Sequence, residues 1–184
     1  MYDAFDLADL YRNPVLVLGD GMIGQMMEPV EFKEATNKKL PPKTWAATGT
    51  RNSPDGKRRI INSLFMEPED LESLNLALQK KYKEVVEKEV RYELYKMDSK
   101  LDVIFTAYGT TSRIVKYVIK KLEEEGIHAG LIRPITLWPF PQQIIGEYAS
   151  NSSAKAFVSV EMSSGQMVED VRLSVNGKKP VYFY

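Results

Sequence analysis

Short apolar runs alternate with stretches in which apolar residues recur every three or four positions. "DVIFTAYG" (102–109), "IHAGLIR" (127–133), "KAFVSVE" (155–161) and "PVYFY" (180–184) are near-continuous apolar runs of strand length. Between them, "TTSRIVKYVIKKLEEEG" (110–126) predicts a helix with Ile114, Val118 and Leu122 on one face and Gly126 at its end. "PQQIIGEYA" (141–149) predicts a second helix starting at Pro141, and "SSGQMVEDVRLSV" (163–175) a third. In the third, Ser163 and Gln166 have the spacing of a capping box. Apolar strands alternating with amphipathic helices predict an α/β fold: three layers, a mostly parallel sheet with helices on both faces.

The first hundred residues carry a different pattern. Phe5, Ala8 and Tyr11 suggest a short helix over 1–12, stopped by Asn13-Pro14 because a residue before proline avoids the α region. Val15–Leu18 is apolar throughout and predicts a short strand. Residues 31–68 hold four prolines, two glycines and many basic residues, and read as a linker. From Pro68 to Met97 there is neither Gly nor further Pro. Leu71, Leu74, Leu78, Tyr82 and Val85 fall on one helical face, so one long helix is expected there, roughly 45 Å at 1.5 Å per residue.

Composition narrows the functional classes. Lys and Arg number 25, as do Asp and Glu, so net charge does not draw the chain to nucleic acid or to an anionic membrane. With no cysteine there is no disulfide, thiolate nucleophile or Cys-held cluster, and with one histidine, His128, no His-rich metal site. No apolar run approaches the roughly 20 residues that span a bilayer. These features fit a cytoplasmic protein without a membrane or nucleic-acid partner.

In an open α/β sheet, ligands bind outside the carboxyl ends of the strands. Two loops there supply crevice candidates. Gly109, Thr110, Thr111, Ser112 and Arg113 combine a glycine, three hydroxyls and a helix amino end, which suits a phosphate; a helix cap from Thr110 or Thr111 is the simpler reading. Glu161 ends a strand before a helix, where an acid/base role competes with capping or ion pairing. A third loop, "RPITLWPFPQQ" (133–143), carries Trp138 and Phe140 on a stiff, proline-rich segment that needs cover from within the chain or from a partner. Gly19-Asp20-Gly21 after an apolar run is how the metal–diphosphate site of thiamine diphosphate enzymes begins. That site also needs an Asn pair further on, and "PPKTWAATGTRNSP" offers only Asn52, so a strand-end turn is favoured. On residues alone, the alternatives are a Rossmann-like nucleotide-binding domain using the Tyr108–Arg113 loop and a structural partner-binding module using "TLWPFP".

Taken together, "RNPVLVLGDGMIGQMMEPVEF", "AYGTTSRIVKYVIKKLEEEGI", "GLIRPITLWPFP" and "VSVEMSSGQMVEDVRLSVNGKKPVYFY" resemble the α subunit of 2-oxoacid:ferredoxin oxidoreductases. The resemblance is greatest to the branched-chain (2-ketoisovalerate, 3-methyl-2-oxobutanoate) type, since Ser163 stands where the 2-oxoglutarate type tends to have Asn. The resemblance implies three parts: 1–35 as the end of a thiamine-pyrimidine-binding domain, 36–99 as linker and long helix, and 100–184 as a transketolase C-terminal-like domain cut short at its end. It implies oxidative decarboxylation of a 2-oxoacid to acyl-CoA with reduction of ferredoxin. Thiamine diphosphate, Mg²⁺, [4Fe-4S] clusters and CoA are implied for the whole complex and none for this fragment, which is expected to carry no catalytic residue and to be inactive alone. The implied partners are a β subunit with the diphosphate site, a γ subunit, a ferredoxin-like δ subunit and ferredoxin, in an oligomer.

Overall fold

Along each central strand, alternate side chains enter two different cores. Ile104, Ile132 and Phe157 point to one face, where they meet Ile145 and Ala149 and the row Met167, Val171, Val175. Phe105, Ala129 and Leu131 point to the other, against Val115 and Ile119. This period-2 division is what a strand buried on both sides requires. The computed structural model describes residues 2–32, 39–53, 55–97 and 100–184.

The elements of this domain are β1 (Tyr92–Tyr95), β2 (Val103–Thr106), α1 (Gly109–Glu124), β3 (Ala129–Pro134), α2 (Gln142–Asn151), β4 (Ala156–Ser159), α3 (Met167–Val175) and β5 (Val181–Phe183). The five strands lie in the order β1-β3-β2-β4-β5. All neighbours are parallel except β1, which pairs antiparallel with β3 (Glu93 opposite Arg133). The connection β2–α1–β3 steps one way; β3–α2–β4 crosses back over β2, and β4–α3–β5 continues that way. With right-handed crossovers, such a reversal puts α1 on one face and α2 and α3 on the other, as the two cores record. The expected three-layer, mostly parallel sheet with helices on both faces is therefore present.

Before the sheet domain come the helices αA (Tyr2–Tyr11), αB (Gly21–Gln25) and αC (Pro68–Glu89). Two compact units divide the chain: Met1–Leu18 with Glu28–Glu84, and Gly19–Met27 with Val85–Tyr184. These divisions cut the chain differently from 1–35, 36–99 and 100–184, because Gly19–Met27 and the end of αC group with the sheet. In the first unit, Arg12 stacks on Trp45 at 4.5 Å, Lys43 pairs with Asp9 at 2.8 Å, and Lys81 donates to Asn13 at 3.2 Å. No described residue of that unit is buried.

Several expectations are corrected. Val15–Leu18 forms no strand and pairs with none among the described residues, and Leu16, Val17 and Leu18 are exposed. An apolar run fixes what a strand would bury, but a ladder needs a neighbour. The long helix ends at Glu89 rather than near Met97; "YELY" leaves it to form β1, where Arg133 of the neighbouring strand holds Glu93 at 2.7 Å. Continuous helical spacing before it hid this four-residue strand. The buried stripe of α1 runs through Val115, Ile119 and Leu122; Ile114 is outward and Val118 half-buried. The helix is rotated by about one residue, because both stripes satisfy the same spacing and only packing on the sheet separates them.

Phe157 is fully buried, so Phe157→Ala is expected to cost about 3–5 kcal/mol in urea unfolding. On the same domain Leu173 is 71% exposed, and Leu173→Ala is expected to stay within about 0.5 kcal/mol.

Candidate functional site

The connections from β2 and β4 leave in opposite directions, so the crevice between their carboxyl ends is the topological switch point of this sheet. Two helix amino ends face that edge: α1 after β2, and α3 after β4. Each would attract an anion through its unpaired amides and its dipole. In this chain each already holds a carboxylate.

At α3 the carboxylate is Glu161, which is 8% exposed. Its Oε2 accepts from the amides of Met167 (2.9 Å) and Gln166 (3.2 Å) and from the Ser163 hydroxyl (2.6 Å). Its Oε1 accepts from the Val168 amide (2.9 Å) and the Ser159 hydroxyl (3.3 Å). Burial alone would raise the pKa of this group. The donors from Ser163, Met167, Val168 and Ser159 outweigh it and hold the carboxyl below its ordinary value. A carboxylate saturated with donors and fixed in its ionised form suits neither proton uptake nor release, so Glu161 acts as the cap. The expected Ser163–Gln166 capping box does not form: helix α3 starts at Met167, and Ser163 donates to Glu161 instead. A charged acceptor bonded to three amides outcompetes a single hydroxyl.

At α1 the carboxylate comes from far along the chain. Asp20 Oδ1 accepts from the Ile23 amide at 2.8 Å, which caps αB. Asp20 Oδ2 accepts from the Thr110 amide at 3.2 Å, in the first turn of α1. These contacts, Ile23 above all and then Thr110, lower the Asp20 pKa. Gly109 makes the approach possible: it has φ +57°, and a Cβ there would meet Asp20 Oδ2 at 3.2 Å. Thr110 and Thr111 do not cap α1 as expected. The N-cap is Tyr108, without a side-chain bond; Thr111 and Ser112 hydroxyls donate back to the carbonyls of Tyr108 and Gly109 at 2.6 and 2.7 Å. Asp20 takes the position a local cap would have filled.

Gly109, Thr110, Thr111 and Ser112 thus lie together at the switch point, and Glu161 lies across it at the end of β4. Arg113 is on the exposed side of α1. Sequence reasoning left Asp20 out of this group. The only trace of it was an Asp followed by a short helix-compatible run, the pattern of an N-cap. Both Asp20 oxygens face amide donors, which suits an anion and opposes a cation there, so these residues do not fit Mg²⁺ at Asp20. Among the described residues no cluster of His, Cys, Asp or Glu has the form of a metal site. In the third loop Phe140 is buried in the core under α2 and α3, whereas Trp138 is 57% exposed. None of the helices is long and apolar enough to cross a membrane, among the described residues.

Known proteins share the fold and are similar in sequence. Residues 101–184 match the family described as pyruvate:ferredoxin oxidoreductase core domain II. The ketoisovalerate oxidoreductase subunit VorB of Methanothermobacter thermautotrophicus is 44% identical over 172 residues, covering 94% of this chain and 47% of that subunit. The 2-oxoglutarate synthase subunit KorA of Archaeoglobus fulgidus is 30% identical over 183 residues, covering 92% of this chain and 47% of that subunit. The solved 2-oxoglutarate:ferredoxin oxidoreductase from Magnetococcus marinus, which has 2-oxoglutarate, coenzyme A and succinyl-CoA bound, superposes with a TM-score of 0.74 at 22% identity. That match covers 98% of this chain and 36% of the other, and it shows the fold. Residues 101–184 are thus similar to the pyruvate:ferredoxin oxidoreductase core domain II family, and the chain as a whole is similar to part of the subunits of 2-oxoacid:ferredoxin oxidoreductases. It spans about half the length of the curated relatives it matches.

Glu161→Gln is expected to lower stability by roughly 2–3 kcal/mol, since an amide would face donors that now meet a charge. Because its folded pKa lies below the ordinary 4.5, the Glu161 contribution is full above that value and is lost as pH falls through the folded pKa. In urea unfolding at pH 7 and at successively lower pH, the gap between wild type and Glu161→Gln should narrow once pH drops below about 4.5.

Proposed function

We propose that this chain is part of a thiamine-diphosphate-dependent 2-oxoacid:ferredoxin oxidoreductase that oxidatively decarboxylates a branched-chain 2-oxoacid to its acyl-CoA and passes the electrons to ferredoxin. The observation that carries the substrate class is the margin in identity: 44% to the ketoisovalerate subunit against 30% to the 2-oxoglutarate subunit, over nearly the same part of the chain. Thiamine diphosphate, Mg²⁺, iron–sulfur clusters and CoA belong in this reading to the assembled enzyme. So do the β, γ and ferredoxin-like δ subunits, and the location is the cytoplasm.

Within that enzyme the part played by this chain is assembly. Two observations support this. Asp20 and Glu161, the carboxylates at the crevice, are both engaged as helix caps. The unit formed by Met1–Leu18 and Glu28–Glu84 has no buried residue among those described, yet presents Leu16, Val17, Leu18, Phe32, Leu64 and Met66 to solvent. Apolar surface on that scale is a feature of interfaces. We assign 1–35 to the end of a thiamine-pyrimidine-binding domain.

The reading is tested by reconstituting the chain with the other subunits and assaying ferredoxin reduction. The complex should turn over 3-methyl-2-oxobutanoate in preference to 2-oxoglutarate, and the reverse preference would overturn the substrate class. The isolated chain should reduce no ferredoxin with either acid; measurable turnover would overturn the assembly role. Leu16→Asp with Leu18→Asp should abolish co-purification with the partner subunits without shifting the unfolding of the sheet domain.

A further inference from the structure

The two carboxylates at the switch point are held in very different ways. Glu161 belongs to the loop it caps, is buried, and meets five donors within seven residues of itself. Asp20 reaches α1 from 90 positions away, at the Thr110 amide 3.2 Å from its Oδ2, in a short and exposed segment. Helix αB has five residues and none of them is buried. Met22, Met26 and Met27 are exposed, Met27 at 98%. A helix this short is unstable unless tied down.

We propose that Gly19–Met27 is a strap across the mouth of the crevice, latched to α1 by Asp20, which opens while the sheet stays folded. The hydroxyls of Thr111 and Ser112 and the side chains of Val115 and Ile119 hold α1 without help from the strap. Its release therefore frees the Thr110 amide and leaves both cores intact. Local opening of this kind is drawn from elements with few buried contacts. Both flanks of the strap continue into the other compact unit, at Leu18 and at Glu28. Asp20 is the positioning residue of this device: one oxygen shapes αB, and the other fixes αB to the crevice. The proposal rests on the sheet unit alone and is independent of the assigned substrate.

Native-state hydrogen exchange on the full chain, read residue by residue, tests it. In the wild type the Thr110 and Ile23 amides should exchange at least tenfold faster than those of Ile104 and Phe157 in the central strands. Asp20→Asn keeps an acceptor but removes the charge. Asp20→Ser keeps a cap for Ile23 but is too short to reach Thr110. Both should speed exchange at Thr110, on the order of tenfold, with Ile104 and Phe157 unchanged. In Asp20→Ser the Ile23 amide should be affected less than Thr110. Exchange of Thr110 and Ile23 at the rate of the central strands would overturn the strap, because the segment would then open only with the whole domain. Unchanged Thr110 exchange in both variants would overturn the latch.

Discussion

Two carboxylates at two helix amino ends organise the functional edge of this domain. Parallel strands followed by helices leave unpaired amides and positive dipole ends at the carboxyl edge of the sheet. In many open α/β proteins a ligand's phosphate completes that edge. Here the chain completes it from within, with Glu161 on one side of the switch point and Asp20 on the other. The charge each carries is the charge a ligand would otherwise bring. This is why loops that look suited to a nucleotide in the sequence do not behave as a free anion site in the structure. In the Tyr108–Arg113 loop, the Thr110 amide donates to Asp20.

The same chain holds a domain with two cores and a unit with no buried residue among those described. In the sheet domain every central strand has partners on both sides and a helical layer on each face. In the other unit, cohesion comes from a cation–π stack, an ion pair and hydrogen bonds that are largely open to water, each a small contribution to stability. The hydrophobic content of that unit is not low, and much of it is exposed among the described residues. Exposed apolar surface on that scale is a feature of interfaces.

Legibility followed the range of the interactions involved. The four parallel strands and the three helices between them were readable because each is specified by its own periodicity. The candidate loops were readable because the strand order of an α/β sheet always exposes them. The β1 strand was not, because its pairing depends on Pro134, Arg133, Ile132 and Leu131, some forty residues on. The buried stripe of α1 was misplaced by one position for a related reason: two stripes with the same spacing compete, and the sheet selects between them. The role of Glu161 was one of the open readings, and its hydrogen bonds, all within seven residues, support capping. Asp20 could be recognised as ending an apolar run, but not as reaching α1.

The sequence by itself determined the α/β class, the alternation that buries both sheet faces, and the absence of thiol and cluster chemistry. These follow from local period and from residue types, which need no partner to be read. Tertiary structure decided which apolar runs became strands. It also decided which carboxylates became caps. Val15–Leu18 and Ala156–Ser159 are both strand-like by composition, yet only the second has β2 and β5 beside it. A backbone amide is satisfied by whatever acceptor folding brings within about 3 Å, and that proximity is a property of the assembled chain rather than of any window of it.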